Sequence, residues 1–84
     1  MPRYLVETYV PRTGADGARA AGRRARTAAR QLSREGKPVR YVRTTFLPSD
    51  ETCFHIFEAA SEEVVTETCR RAEVASPRIV PALE

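Results

Sequence analysis

Two runs of β-favouring residues, 38–47 and Thr52–Ala59, flank the turn segment Pro48-Ser49-Asp50-Glu51, and no other feature restricts the fold as much. Both runs are rich in Val, Ile, Thr, Tyr and Phe and are bounded by turn chemistry, so they read as a β-hairpin. Setting Leu47 opposite Thr52 fixes the register, because a slip of one residue would turn every side chain to the other side. Val42, Thr44 and Phe46 then share a face with Cys53, His55 and Phe57, while Tyr41, Arg43 and Thr45 share the other with Phe54, Ile56 and Glu58. The first face is the more apolar and is expected to lie under helices.

A covering helix is written upstream. Ala18, Ala21, Ala25, Ala28 and Leu32 recur at spacings of three and four, with Arg19, Arg23, Arg26, Arg30 and Arg34 on the opposite side. A stripe made mostly of alanine must approach closely whatever it covers. Asp16 is the expected cap of this helix, and Gly36 followed by Pro38 ends it. A second helix opens at Ser61 as N-cap, with Glu62 and Glu63 in its first turn, Arg70 and Arg71 in its last, and Val65, Cys69 and Ala72 inward. Residues 4–10 and Arg78–Ala82 read as the outer two strands. The order βαββαβ predicts a ferredoxin-like α+β fold, with two helices on one face of a four-stranded antiparallel sheet.

The chain has 84 residues, enough for one domain over 1–84 but short enough to bury only about 60% of its unfolded surface. The uncovered sheet face, with Tyr41, Phe54 and Ile56 among Arg43 and Glu58, is too apolar to stay wet, so a homodimer with sheets packed face to face in an α+β-barrel-like manner is expected. Cys53 and Cys69 stand sixteen positions apart with no CxxC motif, which fits reduced thiols rather than a disulfide framework. No apolar run approaches the roughly 18 residues of a membrane span, and residues 1–13 lack an export signal, so a cytoplasmic protein is expected. Residues 11–43 carry a formal charge of +8 and residues 44–84 one of −5.

Tyr4-Leu5-Val6-Glu7, the stretch from Val39 to Pro48, Asp50-Glu51-Thr52-Cys53, Phe57-Glu58-Ala59, Arg70-Arg71-Ala72 and Arg78-Ile79-Val80 together resemble a family of small bacterial proteins of unknown function. That family is typified by a nickel-binding, nickel-responsive member with a dimeric ferredoxin-like fold. The resemblance spans nearly all of the chain apart from residues 11–35, and it implies the fold and a nickel-type divalent ion as ligand. Family members often carry cysteine at the place of His55 and histidine at the place of Cys69. The two types are exchanged here, which implies that the third strand and second helix bring these side chains together.

His55, Cys69 and Cys53 are accordingly the candidate metal ligands, since thiolate and imidazole suit nickel, copper and zinc. Buried thiols and a hydrogen-bonded histidine are equally common as plain core groups. A cofactor-independent enzyme is the alternative, with Glu7 as base and Tyr41 and Arg43 as orienting groups in a pocket on the open face. Against it, Glu7 in mid-strand could pair with Arg43 or Arg78 and so stay ionised. Nucleic acid is disfavoured as a partner: the arginine stripe suits a pI near 9.3, but the aromatic signature of RNA-binding sheets is missing and a solvated charged face accounts for the stripe.

Overall fold

A computed structural model describes residues 1–83 of the chain. Strands β1 (Arg3–Tyr9), β2 (Val39–Leu47), β3 (Thr52–Ala59) and β4 (Arg78–Ala82) alternate with helices α1 (Ala15–Arg34) and α2 (Glu62–Arg71), and a 3₁₀ turn at Pro48–Asp50 joins β2 to β3. The sheet order is β2-β3-β1-β4 and every pairing is antiparallel. This is the ferredoxin-like α+β arrangement that the sequence predicts. Among the described residues no helix is long and apolar enough to cross a membrane.

Alternation in the central strands decides where the core lies. Val6 of β1 and Phe57 and Ala59 of β3 are fully buried and join Val65, Cys69 and Ala72 from the α2 segment and Ala25, Ala28, Ala29 and Leu32 from α1 in one cluster. Leu32 is the one large aliphatic side chain that α1 places there; the rest of its buried face is alanine and glycine. The buried stripe runs through Ala18, Gly22, Ala25, Ala28, Ala29 and Leu32, so it is turned slightly from the predicted one: Gly22 and Ala29 lie inward and Ala21 is half-buried.

Helix ends follow from local geometry. Gly14, rather than Asp16, caps α1, because a Cβ there would stand 2.8 Å from Val10 Cγ1 and 3.0 Å from the Pro11 carbonyl oxygen. Asp16 sits in the first turn and accepts a hydrogen bond from Arg19. At the other end Gly36, at φ +88°, closes a Schellman motif in which the Lys37 and Gly36 amides donate to the Leu32 and Ser33 carbonyls. The same pattern ends α2, with the Val74 and Glu73 amides donating to the Cys69 and Arg70 carbonyls, but there the left-handed residue is Glu73, at φ 56°. Ser61 caps α2 as predicted, its hydroxyl accepting from the Val64 amide.

One strand departs from simple alternation. From Leu47↔Thr52 to Arg43↔Ile56 the pairing of β2 with β3 is the predicted one, but a β-bulge then makes Tyr41 the partner of Phe57 and Arg40 the partner of Glu58. A bulge sets two residues against one and so reverses the parity of everything beyond it. Tyr41 therefore leaves the open face to which strict alternation assigns it. Its ring packs edge-on against Phe57, with centroids 5.8 Å apart, and its hydroxyl lies against Gly22 of α1.

Candidate functional site

The bulge builds a groove between α1 and β2. A cavity of about 420 Å³ opens there, walled by Arg19, Arg23 and Arg26 from the helix and by Tyr41, Thr44 and Phe46 from the strand. Gly22 makes the close approach possible: a Cβ on it would stand 2.7 Å from Thr44 Oγ1 and 3.0 Å from the Tyr41 hydroxyl. A glycine within a helix costs stability relative to alanine, so this contact gives it a structural purpose. A second cavity of about 420 Å³ continues the groove past Arg26 and Tyr41, which line both, toward Arg30, Arg34 and Arg40.

A chain of polar groups leads inward from the cavity wall. The Tyr41 hydroxyl lies 2.6 Å from Thr44 Oγ1, which lies 2.7 Å from His55 Nδ1, and His55 Nε2 is 3.9 Å from Cys53 Sγ. His55 is 1% exposed. Burial, with a smaller contribution from the Arg24 charge, lowers its pKa below the ordinary histidine value, so the imidazole is held neutral. Burial also raises the Cys53 thiol and pushes Cys69 up to about 11. Both cysteines are free and protonated near neutrality.

The two helices distribute charge differently around this site. Arg26 lies over the Tyr41 ring, 5.3 Å from its centroid, a cation–π geometry. Among the described residues no carboxylate stands within ion-pair distance of Arg23, Arg26, Arg30 or Arg34, whereas Glu67 pairs with Arg70 and Arg71, Glu35 with Arg71, and Glu58 with Arg3 and Arg40. Along the groove, Arg23, Arg26, Arg30 and Arg34 thus carry no carboxylate partner among the described residues, while Arg19 pairs with Asp16 and Arg40 with Glu58.

The structure places the residues proposed for catalysis on two sides of the sheet. Glu7 lies on the open face, where β1 pairs it with Phe54 and Arg78, and Arg78 Nη1 donates to its carboxylate at 3.0 Å. Of the two candidate partners of Glu7 it is Arg78 that binds. Arg43 is exposed opposite Ile56, and Tyr41 is on the helix-covered side. The bulge thus carries Tyr41 off the open face on which it is expected, while Glu7 and Arg43 remain there.

The metal candidates are all buried, yet they do not assemble. Cys53 and His55 adjoin along β3, but the two ring nitrogens of His55 face Thr44 and Cys53 rather than Cys69, which sits in the helix-side cluster. Among the described residues no three of His, Cys, Asp and Glu gather where they could hold an ion. Structural and catalytic zinc sites use three or four protein donors; of the three candidates the structure sets two side by side, Cys53 and His55.

Sequence reasoning missed Gly22 and Thr44 and read Arg23 and Arg26 as part of a solvated face. The one signal that could have pointed to the groove is a glycine inside an alanine stripe, the mark of a close backbone approach. Compared with protein-family models, curated proteins and solved structures, the chain matches none of them, so the reading of its function rests on its own geometry.

Proposed function

We propose that the chain is a small ligand-binding protein that works as a homodimer and holds an organic molecule in the cavity between α1 and β2. The observation that carries this reading is the Tyr41–Thr44–His55 chain, which joins a buried, neutral imidazole to the wall of a cavity. Its size, about 420 Å³, falls within the roughly 300–1,000 Å³ of small-molecule sites. The mixture of aromatic and hydroxyl groups with cations is the usual make-up of such sites. Nickel-type binding, implied by the resemblance to the nickel-responsive family, has less support, because among the described residues only two of its three candidate donors, Cys53 and His55, adjoin.

The homodimer is supported by the open face. Leu5, Phe54, Ile56 and Val80 form an apolar band there, bordered by the Glu7–Arg78 pair and by Glu58 with its two arginines. Two unpaired cysteines suit a reducing, cytoplasmic setting. Native mass spectrometry of protein purified without chelators or a metal column tests the whole reading. The expected spectrum is a dimer carrying an organic adduct; a monomer that retains a stoichiometric transition metal and no organic molecule would overturn it.

A further inference from the structure

We infer that the ligand of the α1–β2 cavity is an oxyanion, a carboxylate or phosphate on a small organic body, held by Arg23 and Arg26 and hydrogen-bonded by the Tyr41 hydroxyl. This rests on the reading of that cavity as a ligand site. Three observations bear on it: charge and shape point to such a ligand, and a hydrogen-bond chain is placed to respond to it.

The first is charge. Arg23 and Arg26 stand three residues apart on the helix, so their side chains share a face, and both line the cavity with no carboxylate paired to either among the described residues. Arg19 is paired only with Asp16, whose side chain is fully exposed, so the pair is screened by water and compensates little. Guanidinium groups match the planar fork of a carboxylate or the oxygens of a phosphate.

The second is the hydrogen-bond chain, which can run in either direction. A neutral imidazole carries one proton, on Nδ1 or on Nε2. With the proton on Nδ1, His55 donates to Thr44, Thr44 donates to Tyr41, and the Tyr41 hydroxyl hydrogen is free to point into the cavity; the protonated Cys53 thiol then faces the bare Nε2. With the proton on Nε2 every donor turns inward, and the cavity meets only an oxygen lone pair. An anion at the wall selects the first arrangement. A bound anion thus sets the polarity of the Tyr41 hydroxyl and, through Thr44, the tautomer of His55.

The third is shape. Phe46, Ala15 and Ala18 line the same cavity as the arginines, and α1 runs antiparallel to the strand that follows it, so the apolar residues lie toward the helix start and Arg26 and Tyr41 farther along. This favours an anionic head on an apolar body. It disfavours a nucleic-acid strand, because the Tyr41 ring is packed edge-on against Phe57 and covered by Arg26, leaving no face for a base.

The test titrates the full chain with phenyl phosphate, benzoate and benzyl alcohol at fixed ionic strength, read by calorimetry and by the ring nitrogens of the chain's single histidine. At least one anion is expected to bind with one-site saturation about tenfold or more tighter than benzyl alcohol, as a charge-assisted contact implies. The tighter of the two anions assigns the head group as phosphate or carboxylate. Arg26→Ala should weaken that binding about tenfold and Arg12→Ala, an equal charge change outside the groove, by less than about twofold. Anion binding should move His55 toward the Nδ1-protonated tautomer, and Tyr41→Phe should abolish that movement. Equal affinity for benzyl alcohol would overturn the oxyanion but keep the cavity as a ligand site. Equal losses in the Arg12 and Arg26 variants would reduce the effect to net charge. No saturable binding by any probe would remove both the inference and the reading beneath it.

Discussion

The two helices of this fold are built on opposite plans. Helix α2 is ten residues long, capped by the Ser61 hydroxyl, and the charges of its last turns are paired: Glu67 binds Arg70 and Arg71, and Arg71 makes a two-pronged contact with Glu35 at the end of α1. Helix α1 is twenty residues long, has no side-chain cap, fills its inner face with alanine and glycine, and leaves most of its arginines without a carboxylate. A helix that only needed to cover a sheet would gain from larger inner residues and compensating acids. The plan of α1 forgoes both along most of its length, and the proposed ligand site lies against its first half.

The largest break in the comparison should come from Leu32, since it is the sole large anchor of a long helix. Leu32→Ala is expected to cost about 2–5 kcal/mol in denaturant unfolding; a cost below 1 kcal/mol would mean that the alanine stripe holds α1 without it. Glycines sharpen the contrast within α1. Gly22→Ala should destabilise by about 1–3 kcal/mol, because the added methyl must displace the Thr44 and Tyr41 hydroxyls. Gly17→Ala, into open space, should stabilise by about 0.5–1 kcal/mol. If both substitutions act alike, the close approach that shapes the groove is wrong.

Most of this architecture is legible in the sequence, and the exceptions share a cause. The inward parity of Cys53, His55 and Phe57, the Ser61 cap and the Leu47↔Thr52 register follow from period and turn chemistry alone. What alternation cannot reveal is a place where it is interrupted, and the bulge in β2 moves Tyr41 from the open face to the wall of the groove. The site was lost with it, since its two hydroxyls meet only after that reversal. The rotation of the α1 stripe from Ala21 to Gly22 was hidden because alanine and glycine carry little hydrophobic signal to tell faces apart. The cap at Gly14 rather than Asp16 depends on contact with Val10 and Pro11 that no helical pattern encodes.

Helix α2 offers smaller tests of its structural plan. Glu73 occupies the left-handed position that α1 gives to Gly36, a conformation unfavourable for a residue with a Cβ, so Glu73→Gly should stabilise by about 1 kcal/mol. An unchanged unfolding midpoint would show that the Schellman turn carries no strain there. The smallest effect is electrostatic. Hydrogen bonds from Arg70 and Arg71, then their charges, lower the Glu67 carboxyl to about 2 from an ordinary value of 4.5. A depressed folded-state pKa means that this contribution is complete above the ordinary value and is lost as pH falls from 4.5 toward 2. Glu67→Gln should flatten the stability profile in that window only; a profile identical to the parent would leave the α2 network without energetic weight.

The central claim is that a buried, neutral His55 is wired through Thr44 to a hydroxyl on the cavity wall. The pH titration of the histidine ring nitrogens by NMR tests it most directly, because the chain has one histidine. The account predicts a ring whose pKa lies below the ordinary value of 6.5, with folding stability falling as pH drops from 6.5 toward the lowered folded-state pKa, where only the unfolded chain takes up the proton. It further predicts that Tyr41→Phe shifts the balance of tautomers. An imidazole that titrates at 6.5 in the folded protein and ignores Tyr41→Phe would contradict it.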